Sequence, residues 1–66
     1  MYLKESLKTM RIERGITQEQ LAKKLNVSLK TISHWETGYT EPSISQLISI
    51  ANYFDVTIDE LVDRKR

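Results

Sequence analysis

The sequence predicts an all-α fold of five short helices around one core. Apolar residues recur at helical spacing, and no stretch alternates apolar and polar residues as a half-buried strand would. Serine or threonine stands before the apolar-periodic segments at Thr17, Ser28, Ser43 and Thr57, where N-caps belong. Both glycines, Gly15 and Gly38, follow such segments, where a left-handed C-terminal residue is favoured.

The first helix is expected over about Leu3 to Arg14, with Leu3, Leu7 and Met10 on its inner face and Gly15 closing it. The second begins at the Thr17 cap with Gln20 three residues on, a capping box, flanked by Ile16 and Leu21 as a hydrophobic staple. Val27 and Ile32 repeat the staple around Ser28 at the start of the third helix, which ends before Gly38. Pro42 precedes the fourth, where Ser43 and Gln46 form a second box and Leu47, Ile50, Ala51 and Phe54 make an apolar stripe. Thr57 and Glu60 open the fifth, stapled by Val56 and Leu61.

At 66 residues the chain is expected to be one domain over 1–66, and a core of this size buries only about 60% of the surface exposed by the unfolded chain. Dimerisation would add to so modest a core. With no cysteine, disulfides and thiolate metal sites are excluded. No window approaches the roughly 20 apolar residues of a membrane span, and the N-terminus lacks an apolar signal-peptide stretch, so the expected location is cytoplasmic with no membrane partner.

A net charge of +1 argues for no partner by itself, but its distribution is uneven. Residues 1–40 hold seven Lys and Arg against four Glu, a net of +3, while residues 41–66 hold three basic against five acidic residues, a net of −2. Ordinary solvated helix faces would also account for this pattern.

Residues 17–38, TQEQLAKKLNVSLKTISHWETG, are the most informative stretch. Two capped helices are joined by only a few residues, Leu25-Asn26-Val27, which suits a sharp crossing, the outline of a helix-turn-helix. At about 100° per residue from Leu29, Ser33 falls near 40°, Thr37 near 80°, Lys30 near 100° and His34 near 140°, while Trp35 and Ile32 lie near 240° and 300°. The apolar pair therefore docks the helix, and Leu29, Lys30, Ser33, His34 and Thr37 face outward. Such a face suits a B-DNA major groove: Lys30 can donate to guanine, Ser33 can donate or accept, His34 can present either ring nitrogen, and Leu29 can touch a thymine methyl. A single exposed leucine is also commonplace. Ser28 at the helix start completes the candidate groove set. Tyr39 and Thr40 in the following loop are candidates for phosphate contact, as is Gln18 at the start of the second helix. Lys23 and Lys24 read as solubilising charge.

The chain resembles the Cro and phage-repressor (XRE-like) helix-turn-helix DNA-binding family over nearly its whole length. The resemblance rests on Leu7, Arg11, Gly15, Thr17-Gln18, Leu21-Ala22, Val27-Ser28, Ile32, Trp35-Glu36, Gly38, Pro42, Leu47 and Ala51 together. It implies a lambda-repressor-like domain whose third helix enters the major groove, working as a homodimer on two half-sites about 34 Å apart. It strengthens Gln18 as a phosphate contact and assigns Arg11 and Glu36 to a structural ion pair. Ala22 is implied to let the second and third helices approach closely. Groove-facing positions that are glutamine or arginine in many relatives are Leu29, Lys30 and His34 here, so no operator sequence carries over.

The expected function is a sequence-specific transcriptional regulator, a repressor, binding double-stranded DNA at a palindromic or pseudo-palindromic operator. No ligand-sensing or self-cleaving domain is expected within the 66 residues. The rival expectation is an antitoxin-like or accessory module whose partner is a protein. Tyr53, Ile58, Leu61 and Val62 on and before the fifth helix could form that surface, a dimer interface, or simply the lid of the core. Catalysis has no site: His34 lacks a partner histidine or cysteine, and there is no glycine-rich loop or paired acidic face. No metal, cofactor or small-molecule ligand is implied.

Overall fold

The computed structural model describes residues 3–62. Asp63, Arg64, Lys65 and Arg66, which enter the charge balance above, lie outside the described residues. Five helices follow in order: α1 Leu3–Glu13, α2 Gln18–Leu25, α3 Leu29–Thr37, α4 Ile44–Phe54 and α5 Ile58–Val62. Among the described residues there is no strand. The first helix stops one residue short of Arg14, whose N–H still donates to the Met10 carbonyl at 3.0 Å.

Each expected cap forms. Thr17, Ser43 and Thr57 accept the backbone N–H three residues on, and Gln20, Gln46 and Glu60 reach back to the cap N–H in reciprocal boxes. Ser28 accepts from Thr31 N–H at 3.1 Å without a reciprocal partner. These contacts satisfy donors that a helix start leaves open.

Helix ends follow one rule. Gly15, Asn26, Gly38 and Asp55 have φ of 70°, 60°, 81° and 58°. In each case the next residue's N–H returns five residues to a helical carbonyl: Ile16 to Arg11, Val27 to Ala22, Tyr39 to His34 and Val56 to Ala51. This is the Schellman arrangement, and it needs a left-handed residue. The glycines were legible for that role; Asn26 and Asp55 supply it without the freedom of glycine, as their short polar side chains permit. Ile16, Val27 and Val56 then pack on the core, so each finishes one helix and staples the next. Tyr39 does the first of these jobs and stays 76% exposed.

The core is Leu3, Leu7, Leu21, Ala22, Ile32, Trp35, Ile50, Ala51, Phe54 and Leu61. Met10 and Leu47, expected inside, pack at its half-buried margin. α3 lies against α1 and α2, α5 closes on α1 and α4, and α2 meets α4. Arg14 ties the end of α1 to the end of α4. Its Nη2 donates to the Phe54 carbonyl at 3.1 Å, and its guanidinium lies 5.2 Å from the Phe54 ring centre and 5.6 Å from that of Tyr53. A cation at a helix C-terminus and over aromatic faces is favoured on both counts.

Of the alternatives left open for the fifth helix, Leu61 takes the core. Leu61 is fully buried and closes the core, because α5 folds its staple residue back between α1 and α4; it can belong to no exposed partner surface. Tyr53, Ile58 and Val62 are half-buried against the same core.

Trp35→Ala is expected to cost about 3–5 kcal/mol, the range for truncating a buried aromatic side chain, and urea denaturation measures it. Asp55→Gly is expected to raise stability by about 1 kcal/mol, because it relieves a left-handed non-glycine and removes a carboxylate from a helix C-terminus. In a domain of this size that corresponds to a melting shift of about 4–8 °C, read by circular dichroism.

Candidate nucleic-acid interface

α3 is held from beneath by Ile32 and Trp35, both buried, and the outer face follows from that anchoring. Leu29 and Lys30 are exposed at its first turn, Ser33 and His34 are half-buried along it, and Thr37 is exposed at its end. The structure thus brings Leu29, Lys30, Ser33, His34 and Thr37 onto one face. Ser28 stands at the rim, with its hydroxyl engaged in the cap and 2.9 Å from the Thr31 hydroxyl. The Thr37 hydroxyl donates to the His34 carbonyl at 3.2 Å, so its proton is committed and its methyl and lone pair remain.

The loop after Gly38 folds against this face. His34 and Tyr39 rings sit 4.7 Å apart and tilted by 57°, and the His34 carbonyl accepts Tyr39 N–H at 2.9 Å and Thr40 N–H at 3.4 Å. Tyr39 is therefore a solvated aromatic fixed at both backbone and ring, next to the outer face of α3. Gly38 lies under Lys4: a Cβ there would stand 3.0 Å from the lysine Cδ.

Below the outer face, Arg11 and Glu36 form a forked ion pair, Nε to Oε2 at 2.7 Å and Nη2 to Oε1 at 3.2 Å. The third guanidinium nitrogen, Nη1, donates to the Ile16 carbonyl at 2.8 Å. The side chains are 12% and 3% exposed, so this is an interior contact joining α1, the α1–α2 turn and the last turn of α3. Gln18 enters the same cluster, its Nε2 donating to Glu36 Oε1 at 3.0 Å. That link joins residues 18 positions apart on different helices and left no periodic or capping signal in the sequence.

Exposed apolar area lies away from the fifth helix. Ile44 and Ile48, at 74% and 45% exposure, share the outer side of α4 with Ser45 and Asn52; α4 carries no charged side chain. Among the described residues no group of histidine, cysteine, aspartate and glutamate could hold a metal ion. No described helix is long and apolar enough to cross a membrane.

A sequence profile described as helix-turn-helix matches residues 7–61. The chain belongs to the helix-turn-helix family. Within the family it is 45% identical over 62 residues to the transcriptional activator BcrR of Enterococcus faecalis, covering 94% of this chain and 30% of BcrR. An uncharacterised helix-turn-helix-type transcriptional regulator of Methanocaldococcus jannaschii is 42% identical over 59 residues, 89% of each chain. Among solved structures, the P22 c2 repressor in complex with a synthetic operator superposes with a TM-score of 0.89 at 28% identity, covering 96% of both chains. The chain thus spans less than a third of BcrR and nearly the full length of the other two.

Glu36→Ala would leave the Arg11 guanidinium in the interior without its carboxylate, and breaking a buried pair in this way costs about 3–5 kcal/mol. Chemical denaturation of the purified variant is expected to show a loss in that range, against a loss below about 1 kcal/mol if the pair were a surface contact.

Proposed function

We propose that this helix-turn-helix chain is the DNA-binding unit of a transcriptional regulator, working in the cytoplasm as a homodimer on a palindromic or pseudo-palindromic operator. The observation that carries the reading is the outward face of α3, anchored by Ile32 and Trp35, on a fold that matches the P22 c2 repressor solved on operator DNA. A two-turn helix with small and polar outer groups fits the major groove, where all four base pairs differ in donors, acceptors and methyl groups. In this reading Lys30 donates to a guanine edge, Ser33 and His34 hydrogen-bond neighbouring bases or phosphates, and Leu29 meets a thymine methyl. Gln18, Tyr39 and Thr40 touch the sugar-phosphate chain and set the register. Thr37 and the Ser28 end of α3 border the groove. Two copies reading half-sites about 34 Å apart would place both recognition helices on one side of the duplex.

The role is recognition without chemistry, and the family relatives are regulators of transcription. Binding-site selection with the purified chain, followed by mobility shift on the selected duplex, tests it. A two-fold symmetric consensus and a 2:1 complex are expected. Failure to retard any duplex at low salt would refute the reading.

Lys30→Ala separates base reading from backbone contact. As a base reader it should lose about 1–3 kcal/mol on the selected duplex and relax the preference at one base pair. As a phosphate contact it should weaken all duplexes evenly and lower the salt slope by about 1.

A further inference from the structure

We propose that Glu36 is a positioning residue for DNA: it locks the Gln18 carboxamide so that one amide hydrogen points at the phosphate chain. This rests on the DNA-binding reading above and assigns a binding role to a side chain buried beneath the interface.

A carboxamide can offer its oxygen or its nitrogen to a neighbour, and rotating it by half a turn exchanges the two. Glu36 removes that freedom. An ionised carboxylate only accepts hydrogen bonds, so the group 3.0 Å from Oε1 has to be the Gln18 Nε2. The flipped amide would set oxygen against oxygen in a site from which water is largely excluded.

The acceptor is as constrained as the donor. Arg11 grips both Glu36 oxygens and the Ile16 carbonyl with three of its N–H groups, and the Glu36 side chain is 3% exposed. Gln18 is thus oriented by a contact fixed to α1, α3 and the intervening turn. Its Nε2 has a second hydrogen, which has no protein partner among the described residues, and Gln18 itself is half-buried at the start of α2. One hydrogen goes inward to the carboxylate and one is left for an acceptor outside. The acceptor class that the DNA reading supplies there is a phosphate oxygen.

Arg11 has a second effect in this arrangement. A carboxylate one hydrogen bond behind Gln18 would repel an approaching phosphate, since partly buried charges are poorly screened by salt. The guanidinium fork neutralises that charge at the point where the phosphate arrives, so the pair serves the interface as well as the fold.

The test is a double-mutant cycle of Gln18→Ala and Glu36→Gln, read as affinity for the selected operator duplex and for a scrambled duplex over a salt series. Folding of every variant is checked by circular dichroism, and side-chain amide NMR of Gln18 is recorded with and without DNA. Gln18→Ala is expected to weaken both duplexes by roughly 10- to 100-fold, the effect of one hydrogen bond to a charged group. The salt slope should not change, because an uncharged donor releases no counterion. Glu36→Gln leaves Arg11 uncompensated, which attracts phosphate on its own, so the orienting role is read from the cycle: the loss on adding Gln18→Ala is expected to be smaller in the Glu36→Gln background than in the wild type. In the wild type, DNA should shift one Gln18 amide proton selectively.

Full additivity of the two changes would overturn the proposal, as would a Gln18→Ala loss confined to the operator. If the wild type binds neither duplex, the DNA-binding reading fails instead. Should Glu36→Gln not fold, the NMR titration of the wild type still decides: no selective shift of a Gln18 amide proton refutes the assignment.

Discussion

Glu36 brings a negative charge into the interior at the last turn of the one helix that also has to face outward. Removing a carboxylate from water is costly unless donors surround it, and here they come from Arg11 on α1 and Gln18 on α2. A pair of apolar side chains of similar volume would hold the domain together at least as well. What the ion pair adds is intolerance of misplacement. If α3 rotates or slides on α1, the fork opens and a charge is left buried without a partner. Oily contacts around Ile32 and Trp35 impose no such sharp penalty, since close-packed apolar groups can be rearranged at smaller cost. The angle at which α3 presents its outer face is therefore kept by an electrostatic constraint lying directly beneath that face.

Local chemistry supports this arrangement at every connection. Helix ends and helix starts share residues: the side chain that follows a left-handed cap packs inward and becomes the staple of the next helix at Ile16, Val27 and Val56. Each short connection thus has its length, its exit and its entry set by one apolar residue. Between α2 and α3 the connection is Asn26-Val27-Ser28, and the crossing of these helices follows from two caps and one half-buried valine packed on the core.

Most of the fold was legible because it depends on chemistry within one helical turn. Caps such as Thr17 with Gln20 and Ser43 with Gln46 satisfy backbone donors three residues away, so their spacing betrays them. The helix end at Leu25-Asn26-Val27 was legible from the short connection, but the left-handed cap roles of Asn26 and Asp55 were not, since either residue is equally at home in a loop or at a helix start. The outer face of α3 could be read from helical geometry once Ile32 and Trp35 were taken as inward. The Gln18–Glu36 bond and the Arg14 bridge to Phe54 could not, because they arise only when distant helices meet. Leu61 shows the same limit from the other side: five residues of helix with apolar groups on two sides do not say which side the rest of the molecule will cover.

The shared cap-and-staple residues also decide where the chain tolerates added length. An extra residue in the α1–α2, α2–α3 or α4–α5 connection would pull apart the end of one helix and the start of the next, because the same core-packed side chain serves both. Gly38 to Ser43 is built differently. Its cap-following residue, Tyr39, remains in solvent, and α4 is started afresh by Ser43 with its own box. An insertion between Thr40 and Glu41 would leave both caps and the buried Pro42 in place, and this segment borders the outward face of α3. Of the four connections, this is the one where added length leaves every cap-and-staple residue in place, beside the surface where it can alter what is bound.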